Sequence, residues 1–211
     1  MYKDFASKTP ALWGITQDAS LNSSMNGIEV NTCPIAGANA EKSIREYTQY
    51  LTSNDWIVDN SCGLHVHLDG ADLLSSYVLL KRSILAFIVF DDIMLSMLPD
   101  NRRANRYCSP LSASKAVNNR DRNFIKGFDL KEFVQSQSVN DLEHTLYKTK
   151  DKETIDRLKH NHMAEVRYHG INFHALFSGH GTVENRYLQG TLDPVLILNW
   201  VALNQHIIDT C

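Results

Sequence analysis

The sequence predicts an α+β domain with helices covering one side of an antiparallel sheet, and three observations carry that expectation. Short segments alternate apolar and polar residues, the period of a half-buried strand. They fall as hairpins broken up by helices, not as the regular strand-helix-strand alternation of a parallel sheet. Residues 71–98 carry apolar side chains at helical spacing over a stretch long enough to lie across the back of such a sheet.

In chain order, residues 12–16 and 27–33 are predicted strands, and the segment Asp-Ala-Ser-Leu-Asn-Ser-Ser-Met-Asn between them has turn chemistry, so they form a hairpin. Ile44, Tyr47 and Leu51 make a helical stripe over residues 40–52. An apolar run at residues 56–58 predicts a strand that leads into a second strand at 62–68. Over residues 71–98 the apolar positions run nearly all round the helical wheel, predicting a long helix covered on several sides.

Two polar inserts follow, at about residues 110–127 and 135–162. The stretch 99–127 holds seven arginines and lysines without periodicity and is expected to be a loop, while 135–162 is charged with a weak helical pattern and is expected to be a peripheral lid. Residues 163–177 and 182–188 are predicted strands of a final hairpin whose connection contains Gly179 and Gly181. The last helix starts with Asp193 as N-cap and Pro194 at the first helical position, with Val195, Leu198, Val201 and Ile208 as its inward stripe.

A chain of 211 residues fits one domain with a substantial core. Its net charge of −3 supplies no general attraction to nucleic acid or an anionic membrane, so any basic site must be local. Cys33, Cys62, Cys108 and Cys211 form neither a Cys-x-x-Cys pair nor a dense disulfide framework, which favours free thiols and a cytoplasmic location. The N-terminal residues lack an apolar secretory core, and the most apolar stretch, 83–90, is too short to span a bilayer.

The sharpest local signal is Cys62-Gly63-Leu64-His65-Val66-His67-Leu68-Asp69. Alternate side chains of a strand face opposite ways, so His65, His67 and Asp69 share a polar face and Leu64, Val66 and Leu68 an apolar one. Two imidazoles and a carboxylate in a row suit a divalent metal or an anionic substrate. A bland alternative is a solvated strand face. In Gly181-Thr182-Val183-Glu184-Asn185-Arg186, the residues Thr182, Glu184 and Arg186 share one face, either a carboxylate and a guanidinium suited to phosphate or a simple surface ion pair. Glu29, between Ile28 and Val30, faces away from the apolar side of its strand. A single sheet holding all three segments would gather Glu29, His65, His67, Glu184 and Arg186, an arrangement that is costly unless the charges are paired or hold ions.

At this point the residues resemble a known family. Residues 62–69 are similar to the signature of the amidoligases, relatives of glutamine synthetase and glutamate-cysteine ligase. Gly27-Ile28-Glu29-Val30-Asn31-Thr32-Cys33-Pro34, Asn105-Arg106-Tyr107-Cys108, Arg167-Tyr168 with Ile171-Asn172, His180 to Glu184, Arg186 and Gly190 to Asp193 follow in the family's order. The resemblance covers roughly residues 12–109 and 163–209. It implies a curved antiparallel sheet in a glutamine-synthetase-like catalytic core. It also implies ATP with Mg²⁺ or Mn²⁺ as cofactors, and an amide or isopeptide bond made through an acyl phosphate between a small-molecule or peptide carboxylate and an amine.

By position, Glu29, His65 and Glu184 would be metal ligands. Arg106, Arg167 and Arg186, with His67, would be catalytic, and Arg186, Asn172 and Thr182 would contact the nucleotide. Substituting His65 or Glu184 by alanine is expected to abolish metal-dependent nucleotide binding with folding nearly intact. The family's first strand normally carries a Glu-x-Glu pair ahead of Trp13, and this sequence has none: either the chain is a truncated or split form, the ligands come from another chain, or activity has been lost, and a homo-oligomer or a partner chain supplying that strand is one expectation among these. Two rivals stand beside the ligase: a metal-dependent hydrolase built on His-x-His, and a non-catalytic protein that keeps the sheet face to bind a nucleotide or peptide. Few aromatics interleave the basic residues of 102–126, which argues against nucleic-acid binding.

Overall fold

A computed structural model of the chain describes residues 13–17, 21, 27–103, 105–111, 129–161 and 164–211, with the backbone alone at residue 106. The chain divides into two compact units, residues 1–62 with 190–199 and residues 63–189 with 200–211.

In the first unit, β1 (Trp13–Gln17) and β2 (Ile28–Thr32) pair antiparallel from Trp13 opposite Thr32 to Gln17 opposite Ile28, the hairpin that the alternation predicts. Helix α1 (Gly37–Ser53) buries Ile44, Tyr47 and Leu51, the stripe read from the sequence. Trp13 ties the hairpin to it. Its ring stacks on Tyr47 with centroids 4.0 Å apart, and its indole N–H donates to Ser43 Oγ at 2.9 Å. Such a stacked pair contributes about 0.5–1.5 kcal/mol beyond area burial. The strand expected at 56–58 does not form. Asp55 takes a left-handed conformation with φ 57°, and the Trp56 amide bonds back to the Leu51 carbonyl at 3.1 Å. That amide closes the helix end and is not available to a ladder.

In the second unit, β3 (Val66–Asp69), β4 (Ile171–Asn172) and β5 (Thr182–Asn185) form an antiparallel sheet in the order β3-β5-β4. The described strands therefore make two small sheets where one was expected. Val66 and Leu68 are buried while His67 and Asp69 are exposed, as alternation requires. The predicted strand at 163–177 is reduced to β4. A 3₁₀ turn, Glu165–Tyr168, precedes it, and a widened helical turn, Leu176–His180, follows it. Gly179 and Gly181, at φ 98° and 68°, then reverse the chain into β5 in a conformation that other residues rarely adopt.

The helix predicted over 71–98 is split. A 3₁₀ turn covers Ala71–Ser75, and Ser76 then caps α2 (Tyr77–Ser96), its hydroxyl accepting from the Leu79 amide at 3.4 Å. Helix α2 buries one side only: Leu80, Ser83, Ile84, Phe87, Asp91 and Met94. Val78, Leu85, Val89, Ile93 and Met97 are exposed, which corrects the expectation of cover on several sides. Behind the sheet, Phe87 meets Phe173 edge-on at 6.1 Å and Met94 lies 3.6 Å from the Asn185 amide.

Short helix α3 (Asp100–Arg103) and a 3₁₀ turn, Arg106–Cys108, follow; residues 112–128, most of the predicted loop, lie outside the described residues. The second insert is not a peripheral lid. Helices α4 (Leu130–Gln135), α5 (Val139–Tyr147) and α6 (Lys152–Lys159) are capped by the side chains of Asp129, Ser138 and Asp151, and bury Phe133, Leu142, Leu146 and Ile155. Lys81 on α2 fastens them by donating to the Val134 and Ser136 carbonyls at 2.9 and 2.8 Å.

Helix α7 (Pro194–Asp209) starts as predicted, with Asp193 Oδ1 accepting from the Val195 amide at 2.9 Å. Its buried stripe is Ile197, Trp200, Asn204 and Ile207, while Val195 is exposed. The predicted stripe is rotated because Asn204 interrupts the apolar run of Ile197, Trp200 and Ile207 on the buried side. Asn204 is buried with its amide satisfied by the Trp200 carbonyl and Asn185. Among the described residues, no helix is long and apolar enough to cross a membrane, and the four cysteines are free.

Candidate functional site

The site is built on the central strand of the three-stranded sheet. Glu184 on β5 stands opposite His67 on β3 and opposite Asn172 on β4, so one register row crosses all three strands. Glu184 is 4% exposed. Its Oε1 accepts from Arg186 Nη1 at 2.9 Å and lies 3.3 Å from His65 Nδ1 and 3.6 Å from His67 Nε2. Its Oε2 accepts from Asn172 Nδ2 at 2.7 Å. His67 Nδ1 and Thr182 Oγ1 are 2.9 Å apart, one row away.

The row is held from behind. Asn172 Oδ1 accepts from the His174 amide at 2.9 Å, which aims its Nδ2 at Glu184. His174 Nδ1 in turn meets Tyr147 Oη at 2.8 Å, so α5 of the second insert supports the site. Beyond Asn185 the ladder slips. Val66 pairs with Asn185 but Gly63 pairs with Gln189, so β5's continuation has one residue more than β3's, a bulge. Arg102 on α3, 4% exposed, fills it: its guanidinium donates to the Arg186 and Tyr187 carbonyls at 2.6 and 3.2 Å. A Cβ at Gly63 would lie 3.0 Å from Arg102 Nη2 and 3.4 Å from His65 Nε2, so the glycine of the Cys-Gly-Leu-His motif makes room for that approach. Tyr187, fully buried, donates to Asp91 Oδ1, and a Cβ at Gly170 would fall 1.9 Å from its ring.

Charge settles the protonation states. Crowding by surrounding protein atoms, and next the positive Arg186, lower the His65 pKa from 6.5 to about 4 although Glu184 pulls the other way; with the side chain still 33% exposed, water offsets part of that shift, and its direction keeps His65 neutral near pH 7. Burial alone would raise the Glu184 carboxyl. The His67 imidazole, Arg186 and His65 beside it outweigh that and hold it well below the usual carboxylate range. The cluster therefore contains one carboxylate, two neighbouring guanidinium groups in Arg102 and Arg186, and a neutral imidazole. With Asp69 exposed on the same face opposite Thr182, two guanidinium groups meet two carboxylates, and the group there suited to an anion, a carboxylate or a phosphate, is the Arg186 guanidinium.

A neutral imidazole beside an ionised carboxylate has the donor types of a Mn²⁺ or Zn²⁺ site, and Mg²⁺ prefers oxygen throughout. Among the described residues, however, no group of three or more His, Cys, Asp or Glu side chains is placed to hold a metal ion. Both oxygens of Glu184 already accept from protein donors, and a metal would compete with Arg186 for Oε1.

Of the residues singled out by sequence, His65, His67, Asn172, Thr182, Glu184 and Arg186 are brought together. Glu29 is exposed on β2 in the first unit. Arg167 is half-buried on the 3₁₀ turn Glu165–Tyr168, not on a strand. Arg106 opens its own 3₁₀ turn, and its side chain lies outside the described residues. Sequence reasoning missed Arg102, His174 and Tyr147. Arg102 lies in a basic stretch without periodicity, and only its tertiary position separates it from its neighbours.

A buried, ionised carboxylate framed by imidazoles and guanidinium groups on a sheet face is the candidate site of this α+β protein. The family model described as "Putative amidoligase enzyme" matches residues 4–208, and the chain belongs to that family. Searches of curated proteins and of solved structures return no match.

Proposed function

We propose that this protein is an ATP-dependent carboxylate-amine ligase that makes an amide or isopeptide bond through an acyl phosphate, on a glutamine-synthetase-like core. Family membership supports the bond class, and the Glu184 cluster is the observation that carries the site. A carboxylate is a poor acyl donor until its oxygen is phosphorylated, a step that releases ADP; attack by the amine then expels phosphate. Arg186 and Arg102 offer fixed positive charge to the anionic groups of that sequence. A divalent cation accompanying ATP would add charge of the same sign, and His65 and Glu184 carry donor atoms for it. The amine must lose a proton. Glu184 is held far too acidic to accept it and His65 takes one only near pH 4, which leaves the exposed His67, oriented by Thr182.

A second reading has its own support, because both Glu184 oxygens are engaged within the protein: a member of the family that binds a nucleotide or peptide without turnover. One experiment separates them. The full chain is incubated with ATP, Mg²⁺ or Mn²⁺, and paired panels of amino-acid and peptide carboxylates with amines, and ADP is measured. The ligase predicts ADP release that needs both partners and falls at least 100-fold in Arg186→Ala. ATP or peptide binding without ADP release from any pair supports the second reading; absence of ATP binding overturns the ligase, and absence of both ATP and peptide binding overturns both.

A further inference from the structure

Helix α2 has a second face. Phe87, fully buried, marks its inner side. The opposite side presents Val78, Arg82, Leu85, Val89, Asp92 and Ser96, all exposed, at spacings that alternate between four and three residues. Those spacings place the six on one face of the helix, and three of them, Val78, Leu85 and Val89, are apolar. The apolar members are well exposed, Val78 at 51%, Leu85 at 48% and Val89 at 64%, and Ile93 flanks them at 53%. A contiguous apolar patch of this kind marks an interaction surface. Between α2 and Cys211 the same face has a shallow, open groove lined by Leu85, Ala86, Val89 and Phe90, at whose edge Arg82 Nη1 donates to the Cys211 carbonyl at 3.4 Å, an exposed contact.

Charge identifies the occupant. Arg82 precedes the Leu85 and Val89 pair by the same three positions by which Asp92 follows it, so the stripe is basic in its first half and acidic in its second. A second copy laid antiparallel sets Leu85 against its Val89 and Arg82 against its Asp92, and two-fold symmetry makes each contact twice. A parallel copy would set arginine on arginine and aspartate on aspartate. We infer that this face of α2 is the interface of an antiparallel homodimer of the chain. It is independent of the ligase proposal. With one 20-residue helix from each copy at its centre, the interface lies near the ~1,000 Å² floor of specific contacts, and micromolar dissociation is expected.

Sedimentation velocity on the full chain from about 5 to 500 μM tests it. The expected result is a concentration-dependent dimer. Val89→Glu, at a position too exposed to disturb folding, raises the dissociation constant at least 100-fold with an unchanged circular dichroism spectrum. Arg82→Glu and Asp92→Arg each weaken self-association about tenfold or more, because each sets like charges in both layers. An equimolar mixture of these two recovers association, since the mixed dimer has opposite charges in both layers. A wild-type chain that stays monomeric at 500 μM overturns the inference, whether or not its α2 face captures vesicles or another protein. So does a dimer indifferent to Val89→Glu or Arg82→Glu, or a mixture that fails to recover.

Discussion

Glu29 on β2 and Glu184 on β5 occupy strands that look alike in sequence, Ile-Glu-Val-Asn and Thr-Val-Glu-Asn, and their surroundings could hardly differ more. Among the described residues β2 belongs to a two-stranded ribbon with β1, and Glu29 is exposed opposite Thr16. β5 is the middle of three, so Glu184 is flanked on both sides by polar side chains and is 4% exposed. Centrality in a sheet, not the local alternation, turns a glutamate from a surface charge into the hub of an electrostatic cluster. Burial removes water, and the neighbours must then supply the donors that water would have supplied.

The contrast is broken or sharpened first by truncating each glutamate. Glu184→Ala strands the Arg186 guanidinium, whose side chain is 13% exposed, and is expected to cost about 3–5 kcal/mol in urea unfolding. That replaces the expectation from sequence that this variant folds almost normally. A loss below about 1 kcal/mol would show that the cluster is as lightly held as the ribbon.

The acid response of the second unit comes next. His169, 2% exposed, has a pKa lowered from 6.5 to about 4 by burial and then by Lys148. The unfolded chain takes its proton near pH 6.5 while the folded chain does not, so stability is present above that pH and is lost as pH falls towards 4, by up to about 3 kcal/mol. His65 acts in the same direction over the same window, whereas the Glu184 contribution is lost only below about pH 4.5. Urea midpoints between pH 7 and 4.5 should therefore fall steadily, and His169→Gln should flatten the slope; a level wild-type profile would contradict the burial of His169. The smallest effect belongs to the ribbon. Glu29→Ala should change unfolding free energy by less than about 1 kcal/mol, and a larger loss would place Glu29 in a network as demanding as that of Glu184.

Much of the site was legible because strands declare their faces. The polar side of His65, His67 and Asp69 and that of Thr182, Glu184 and Arg186 followed from alternation, and the hairpin of β1 and β2 and the Asp193 cap followed from turn and capping chemistry. Three things were not legible. The N-caps Asp129, Ser138 and Asp151 were present in the sequence, but the charged surface of the second insert masked a buried set of Phe133, Leu142, Leu146 and Ile155. The stripe of α7 was misplaced because a buried asparagine looks like a surface residue until its partner is known. The outward face of α2 looked like core, since hydrophobicity alone does not say what covers it.

Composition, period and capping residues determined the class of fold, the start of the last helix and which side chains share a face, because each of these depends on atoms a few residues apart. Only the tertiary structure decided that β5 is central, that Arg102 fills the bulge beside it, and that Tyr147 reaches the site through His174 and Asn172. Those contacts join segments as far apart as the 115 residues between His67 and Thr182. Their geometry is set by packing and by the desolvation of charge, neither of which is written in any short stretch of chain.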